Sequence, residues 1–328
     1  MTGTTRRAFG AGLLATGLVA APGILRAQPA WPQKPVRILI PFPAGGAADA
    51  LARIMSEQFP QVSGGQPLIV ENKPGAGGTL AAAEVARVAD DGHSLLLGDI
   101  GANAVAQALF PQLPYKVDGS FKHVIHLANL PMAMIAHPSV ADGTVKGVIK
   151  LAKEKPGSLN YASAGPGGAA HLMMELFKRQ AGLDIVHVPY RGGAAVLQAT
   201  MTNEVQLSIS TISTARGFIE AKSVRAVGVG SSAPVKALPD VQPIAKDVPG
   251  FEALTWHGLH VNAGTSPEIV EQINQVFNKL LQLPEIQRKF AIQTAEPVGG
   301  TSAAYSAFVA SETAKWGEVV RSSNIKAS

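Results

Sequence analysis

The feature that most constrains this chain of 328 residues is a short unit that recurs at least four times along it. Each copy is a run of apolar residues, then a loop of glycine and other small residues, then a stretch with helical spacing. The apolar runs lie at 36–40, 94–98, 159–163 and 185–188. Strands that alternate with helices form parallel sheets, which bind ligands at the carboxyl ends of their strands. The pattern predicts an α/β fold whose glycine loops converge on one crevice if they come from two sheets that face each other.

The first glycine loop, PFPAGG (41–46), has the features of an anion-binding loop. Gly45 and Gly46 separate the first apolar run from a helix whose apolar residues share one face: Leu51, Ile54, Met55 and Phe59. Unpaired N–H groups and the helix dipole meet at such a position and favour a negative charge there. The sequence predicts that this loop holds an anion and leaves open whether the anion is transformed or only held.

Three patterns of nucleotide and hydrolase chemistry are incomplete in this chain. Leu80 and Ala170 stand where a dinucleotide-binding GxGxxG pattern needs its last glycine, and no GK[ST] indicates a P-loop. Ser163 lies in YASAG, which lacks the first glycine of G-x-S-x-G. These absences disfavour a nucleotide site and a nucleophilic Ser163.

The histidines do not have the spacing of a metal site. His123 with His126, and His257 with His260, lie three apart in strand-like runs, where such a spacing sends the two rings to opposite faces. The chain contains no cysteine, so no thiolate could complete a zinc site. We expect no metal and no cofactor. His171 falls in the first turn of a helix, where it bonds the loop backbone or, alternatively, contacts a ligand.

Residues 1–27 read as an export signal. Arg6 and Arg7 precede Phe9 and a weakly apolar, glycine-rich run, which favours the twin-arginine type over an ordinary Sec signal. Either type predicts cleavage near Ala27 and a mature protein in the periplasm.

Composition argues against several classes of partner. Three of the 28 basic residues lie in the signal, so the remaining chain carries a net charge of +2. No block of like charges suggests nucleic acid. No later run of about 18 apolar residues predicts a membrane span, and without cysteine we expect no lipid anchor.

Several longer motifs together carry a family resemblance. They are PFPAGGAAD (41–49), ENKPGAGGT (71–79), DDGHSLLLG (90–98), GSLNYASAGPGGAAHLMMELF (157–177), HVPYRG (187–192), LPDV (238–241), NAGTSPE (262–268) and EPVGGTSAAYSAFVASETAKW (296–316). The chain resembles the tripartite tricarboxylate transporter receptors, often called Bug receptors. The resemblance implies a two-lobe, type II periplasmic-binding-protein fold, each lobe a mostly parallel sheet flanked by helices. Lobe one would contain 28–127 and 258–328, and lobe two 128–257.

The resemblance also implies which residues contact a ligand. In this family a carboxylate is held by loop N–H groups, small hydroxyls and bridging waters from both lobes. Transferred by motif, the ligand-binding residues are Phe42, Gly45, Gly46, Asp49, Gly98, Ala102, Ser163, Gly165, Gly167, Gly168, Ala169, His171, Tyr190, Arg191 and Ser210.

Asp49 and three departures from the family pattern qualify this transfer. Because two anions repel, we expect Asp49 to orient the loop or a water, or else to pair with Arg53 at i, i+4. Ala44 replaces a second proline and Gly168 a hydroxyl residue. Ser210 stands where an acidic residue is common, which disfavours an amine-bearing ligand.

The resemblance implies a monomeric receptor for a mono-, di- or tricarboxylate. It would deliver this solute to a membrane permease pair or to a sensor protein. Catalysis requires a titrating group at the reacting centre, and the predicted cleft offers only Asp49 and His171, on opposing lobes. Two alternatives remain: an enzyme acting on a small carboxylic acid in the same cleft, and a phosphate or sulfate binder.

Overall fold

The computed structural model describes residues 1–3, 30–110, 112–117, 119–140 and 142–326. Met1–Ala30 and Trp31–Ser328 are two separate units, and every element below belongs to the second. The export signal predicted for 1–27 lies almost wholly outside the described residues and stays a prediction. Within the described ranges no helix is both long enough and apolar enough to cross a membrane.

Strands and helices alternate through most of the described chain. The strands are β1 (Val36–Ile40), β2 (Leu68–Asn72), β3 (Ser94–Gly98), β4 (Phe121–Ala136), β5 (Asn160–Ser163), β6 (Val186–Pro189), β7 (Leu207–Thr211), β8 (Arg225–Val229), β9 (Leu254–Asn262) and β10 (Glu296–Gly299). The helices are α1 (Ala47–Gln58), α2 (Thr79–Val85), α3 (Ala106–Leu109), α4 (Val145–Glu154), α5 (Ala169–Ala181), α6 (Gly193–Met201), α7 (Ile212–Glu220), α8 (Pro267–Leu281), α9 (Pro284–Ile292) and α10 (Ser302–Ser322). A π-helical turn, Gly101–Val105, leads directly into α3.

The strands form one continuous sheet in the order β2-β1-β3-β9-β4-β7-β5-β6, and β8 and β10 also pair with β4. At one end β1 is parallel to β2 and β3, and at the other β5 is parallel to β6 and β7. The centre is antiparallel. There the 16-residue β4 joins the two halves, because residues 121–131 pair with β9 and residues 132–136 pair with β7. The predicted α/β class, with parallel strands before the glycine loops, is confirmed.

Two large apolar clusters fill the two halves of the molecule. The first packs α1, α8 and α9 on β1, β3 and the first part of β4, with Phe59 and Phe277 fully buried. The second packs α4, α5 and α10 on β5, β7 and the second part of β4, around Phe177 and Trp316. Full burial of one such phenylalanine stabilises the fold by about 1.5–3 kcal/mol. The helices that begin at the glycine loops are therefore anchored along their apolar faces.

The predicted lobe boundaries fall inside two long strands. The first, after residue 127, lies within β4, and the second, before residue 258, lies within β9. Helix α10, predicted for lobe one, places Tyr305, Val309 and Trp316 in the second cluster. The assignment of residues to lobes stays a prediction.

Candidate functional site

Three loops follow the parallel strands β1, β2 and β3 and lie side by side. Asn72 Nδ2, at the end of β2, donates to Phe42 O in the loop after β1 at 3.1 Å. Gly78, in the loop after β2, packs so closely that an added Cβ would lie 3.0 Å from Pro41 Cβ and 3.5 Å from Ala102 Cβ. The three loops therefore form one surface at the carboxyl edge of these strands.

Asp49 holds the first loop in place from the first turn of α1. Its carboxylate is buried, and Oδ2 accepts hydrogen bonds from Gly45 N and from Arg53 Nε, both at 3.0 Å. Gly45 has φ +88°, a conformation that favours glycine. Burial raises the pKa of the Asp49 carboxyl, but the hydrogen bonds from Arg53 and Gly45 outweigh burial and keep the pKa below its usual value. Both contacts expected of Asp49, with the loop and with Arg53, are present together.

The loop after β3 is more deeply buried than its neighbours. A Cβ added at Gly98 would lie 2.2 Å from His260 Nε2 and 2.4 Å from Asn103 Oδ1, so only glycine fits there. Ala102 is fully buried, and its N–H donates to Asp99 Oδ1 at 3.1 Å. The predicted site residues Gly98 and Ala102 therefore lie beneath the loop surface, and the Ala102 amide already has an internal acceptor.

Two residues of this third loop were missed by the sequence analysis. Asp99 is buried, and burial raises the pKa of its carboxyl to about 6, although backbone N–H groups act against burial. Asn103 is 1% exposed, and its Oδ1 accepts from Asp99 N at 3.3 Å. The sequence feature that could have pointed to Asp99 and Asn103 is an acid and an amide inside the glycine-rich run GDIGAN (98–103).

Side chains from β5, α5 and β6 fasten the loop SAGPGG (163–168). Ser163 Oγ donates to Gly165 O at 3.0 Å and lies 2.7 Å from His187 Nε2. Gly167 N donates to His171 Nδ1 at 3.0 Å. His171 thus bonds the loop backbone, the first of the two roles predicted for it. The contact of Ser163 with His187 joins residues 24 apart in the chain, and no local pattern predicts it.

A stack of rings lies under the SAGPGG loop. The imidazoles of His171 and His187 are 3.9 Å apart at 16°, and Tyr161 stacks on His187 at 4.8 Å. Tyr161 OH donates to Glu175 Oε1, which also receives Lys178 Nζ. Burial is the main cause that lowers the pKa of His171 to about 3 and the pKa of His187 to about 4. Both imidazoles are therefore neutral at pH 7 and able to accept hydrogen bonds.

The loop after β6 lies beside the SAGPGG loop. Tyr190 N donates to Ser163 O at 2.8 Å. The next residue, Arg191, is exposed and forms no hydrogen bond or ion pair with any residue that the structure describes. Ser210 is 9% exposed on β7, opposite Ala133 of β4. Arg191 is thus a free cation at the edge of this loop.

The two groups of loops meet at one close contact. A Cβ added at Gly167 would lie 2.0 Å from Leu109 Cδ1 of α3, which follows the third loop. Leu109 and Ile100 belong to the same apolar cluster as Leu172 of α5. A continuous series of contacts therefore links the predicted residues of the first loop with those of the SAGPGG loop.

The helices that begin at these loops have no side-chain cap. The N-caps of α1, α2, α5 and α6 are glycines, which have no side chain to cap the helix: Gly46, Gly78, Gly168 and Gly192. Of the helices that begin elsewhere, α4, α8 and α10 are capped by Thr144, Ser266 and Thr301, whereas α9 begins after Leu283 without a side-chain cap. Uncapped first-turn N–H groups and the helix dipole favour an anion. The predicted residues Gly46, Gly168 and Ala169 stand at two of these starts.

Two of the four histidines on β4 and β9, His123 and His260, pair across the strands, which their spacing in the sequence did not predict. His123 Nδ1 lies 2.8 Å from His260 Nδ1, and His260 Nε2 lies 2.9 Å from Tyr305 OH. The two strands bring together residues 137 apart in the chain. Among the residues that the structure describes, no group of three histidine or acidic side chains is placed to hold a metal ion.

Comparison with known proteins identifies the family of the chain. A family model described as "Tripartite tricarboxylate transporter family receptor" (TctC) matches residues 51–325. The chain belongs to this receptor family.

Individual members of the receptor family are similar to the chain over most of their length. Protein BugT of Bordetella pertussis is 31% identical over 315 residues, which cover 95% of each chain. Rpa4515 of R. palustris, solved with adipate, is 30% identical with a TM-score of 0.83 over 90% of this chain and 99% of that one. MatC of Rhodopseudomonas palustris, solved with malate, is 30% identical with a TM-score of 0.79 over 88% of this chain and 100% of that one. The periplasmic binding protein BugD is 28% identical with a TM-score of 0.81 over 90% of this chain and 100% of that one, which confirms the expected fold.

Proposed function

We propose that this receptor binds a small carboxylate in a cleft between the two groups of loops and delivers it to a tripartite tricarboxylate transporter. The observation that carries the proposal is the set of four helix starts at these loops whose N-caps are glycines. The similar proteins Rpa4515 and MatC were solved with adipate and malate, both small carboxylates. These two ligands support a carboxylate, and the class we propose for this receptor is a mono-, di- or tricarboxylate.

The charges around the loops favour an anionic ligand. Asp49 is neutralised by Arg53 at 3.0 Å, and Arg191, which pairs with no residue that the structure describes, adds a positive charge. Micromolar affinity requires about 8 kcal/mol, and one charge-assisted hydrogen bond contributes about 1.5–3 kcal/mol. Four to six such bonds from loop amides supply roughly that amount after the entropy of association is subtracted. Neutral amides therefore suffice without a clamp of several arginines.

Within this proposal the predicted site residues have two roles. Those proposed to present amides or side chains to the ligand are Phe42, Gly46, Gly168, Ala169, Arg191 and Ser210. The others shape the loops, because their polar or backbone groups already have internal partners or lie buried: Gly45, Asp49, Gly98, Ala102, Ser163, Gly165, Gly167, His171 and Tyr190.

An enzyme acting on a small acid is the alternative that one contact favours. Ser163 Oγ lies 2.7 Å from His187 Nε2, the distance of a nucleophile and its base. However, Ser163 is fully buried, and its hydroxyl donates to Gly165 O. We therefore favour a role for this pair in holding the loop.

Isothermal titration calorimetry with a panel of mono-, di- and tricarboxylates, phosphate and sulfate tests the proposed function. We expect saturable binding of at least one carboxylate and recovery of that compound unchanged after long incubation. Recovery of a converted product would support the enzyme, and binding of phosphate or sulfate alone would support the third alternative. No binding of any carboxylate would contradict the proposal.

Export and delivery need separate experiments. We propose a soluble periplasmic monomer, cut near Ala27, that serves a permease pair or a sensor protein. Mass spectrometry of the protein from a periplasmic extract should find a mature N-terminus near residue 28. Uptake of the labelled ligand by cells should require both this receptor and the permease pair, and uptake without the receptor would contradict its role in delivery.

A further inference from the structure

The SAGPGG loop is fastened to two stacked imidazoles, one for each half of the loop. In the first half, Ser163 Oγ lies 2.7 Å from His187 Nε2 and accepts a hydrogen bond from Gly165 N at 3.2 Å. In the second half, Gly167 N donates to His171 Nδ1 at 3.0 Å. The two rings are 3.9 Å apart. The conformation of the loop therefore depends on where these two rings lie.

Each ring can serve the loop in one orientation only. The hydroxyl proton of Ser163 is donated to Gly165 O, so His187 must donate to Ser163 from its Nε2–H. His171 must accept at Nδ1, because a backbone N–H can only donate. A flip of either ring would put a carbon atom where the nitrogen lies, and the hydrogen bond would be lost. The loop therefore needs a constraint on the orientation of both rings.

Tyr161 and Glu175 restrict the His187 ring. Tyr161 lies opposite His187 in the pairing of β5 with β6, and its fully buried ring stacks on the imidazole at 4.8 Å and 25°. The Tyr161 hydroxyl donates to Glu175 Oε1 at 2.7 Å. Lys178 Nζ lies 2.5 Å from the same oxygen, so the buried Glu175 carboxylate is neutralised. A series of direct contacts therefore leads from Glu175 to the ring that holds Ser163.

We propose that Tyr161 and Glu175 are positioning residues of the ligand loop: the hydrogen bond between them fixes the Tyr161 ring, which holds the stacked imidazoles in the orientation that the loop requires. Neither residue is among those predicted to contact the ligand. Glu175 lies about two helical turns beyond Gly168, the N-cap of α5. The inference rests on the proposed function, because it takes the SAGPGG loop to bind the carboxylate.

Amide hydrogen exchange without any ligand tests whether these residues hold the loop. Tyr161→Phe keeps the ring and removes the hydroxyl, and Glu175→Leu removes the acceptor. In both variants we expect the peptide that spans residues 163–168 to exchange at least about 10-fold faster than in the wild type, because a weakly held loop opens more often. Glu175→Gln should exchange like the wild type, since its side-chain oxygen still accepts from Tyr161.

Calorimetry with succinate, malate and adipate measures the consequence for binding. For each of these acids that binds the wild type, we expect Tyr161→Phe and Glu175→Leu to lower the affinity at least about 5-fold through the displaced loop. Glu175→Gln should stay within about 2-fold of the wild type, because the hydrogen bond is kept. Loss in Tyr161→Phe together with rescue in Glu175→Gln separates positioning through the hydrogen bond from packing of the ring.

Ser208→Ala is the matched control in the same half of the molecule. Ser208 Oγ on β7 lies 2.8 Å from Thr200 Oγ1 on α6, and both residues are fully buried. This variant also loses one buried hydrogen bond, so thermal unfolding should show a lower melting temperature. Its loop exchange and its affinity should stay within about 2-fold of the wild type, because neither residue touches the stacked rings.

The outcomes separate this inference from the proposed function. Wild-type exchange and affinity in Tyr161→Phe and Glu175→Leu would overturn the inference and leave the carboxylate receptor intact. Equal losses in Ser208→Ala would also overturn it, since general destabilisation would then explain them. If Glu175→Leu does not fold, Tyr161→Phe decides. Failure of every carboxylate to bind would contradict the proposed function, and hydrogen exchange would then still decide whether the two residues hold the loop.

Discussion

Asp49 shows how one side chain can set the geometry of a ligand loop. It accepts hydrogen bonds from Gly45 N in the loop and from Arg53 in its own helix. We expect Asp49→Ala to weaken carboxylate binding about 10-fold or more, because Gly45 loses a charged acceptor that contributes about 1.5–3 kcal/mol. Calorimetry measures this loss, and thermal unfolding checks that the fold persists.

Arg53→Ala is the matched comparison at the residue scale. The Arg53 side chain is 53% exposed, and an exposed ion pair contributes at most about 1 kcal/mol. We therefore expect Arg53→Ala to change affinity by less than about 5-fold. An equal loss in both variants would show that the ion pair, and not the bond to Gly45, is what the loop requires.

Single residues were predictable from the sequence where their partners are local. Asp49 with Arg53, and His171 with Gly167, are four residues apart, so helical spacing places each pair together. Asp99 went unnoticed because its burial, with no cationic partner in the described part of the chain, is a property that only the fold reveals.

At the scale of elements, the contact between α3 and the SAGPGG loop is the most specific joint in the site. Gly167 has φ +74°, and an added Cβ would lie 2.0 Å from Leu109 Cδ1. Leu109 is only 6% exposed, so its displacement disturbs the cluster around it. We expect Gly167→Ala to lower carboxylate affinity by at least about 10-fold, because a loss of about 1.4 kcal/mol of binding free energy, from strain or a displaced loop, lowers affinity tenfold.

Gly182→Ala and a double variant provide the controls for this joint. Gly182 also has positive φ, +64°, but an added Cβ there would meet nothing within 4 Å. We therefore expect Gly182→Ala to lower the free energy of unfolding by about 1–2 kcal/mol through backbone strain and to leave the carboxylate affinity unchanged. Adding Leu109→Ala to Gly167→Ala should restore part of the binding. Affinity loss of the same size in Gly182→Ala would contradict the proposed contact.

Elements were predictable where the pattern is local and not where pairing is distant. The glycine loops and the start of α8 at Ser266, which caps Ile269 N, follow from short-range rules. The central strand β4 was not predicted as one element. Its residues are buried on both faces over most of their length, so no alternation marks the strand. Its antiparallel pairing with β9 joins segments more than 100 residues apart.

At the scale of the whole molecule, buried neutral histidines should make stability depend on pH. Burial is the main cause that lowers the pKa of His126, His187 and His257 to about 4 and that of His171 to about 3, and it also lowers the pKa of His260. Below about pH 6.5 the unfolded chain binds protons that the folded chain does not. Stability therefore falls on acidification, by up to about 1.4 kcal/mol per pH unit for each histidine. Asp99, with its raised pKa, acts in the opposite direction, but it is one group against five.

We expect the free energy of unfolding in urea to fall by at least about 3 kcal/mol between pH 7.5 and pH 5.5, with most of the loss below pH 6.5. His126→Gln should make this dependence shallower, because the buried His126 Nε2 lacks a hydrogen-bond partner in the described chain and its imidazole no longer titrates. His137→Gln is the control, since that ring lies at the surface beside Ser139. A free energy of unfolding that stays constant over this range would show that the buried imidazoles are solvated enough to titrate normally in the folded protein.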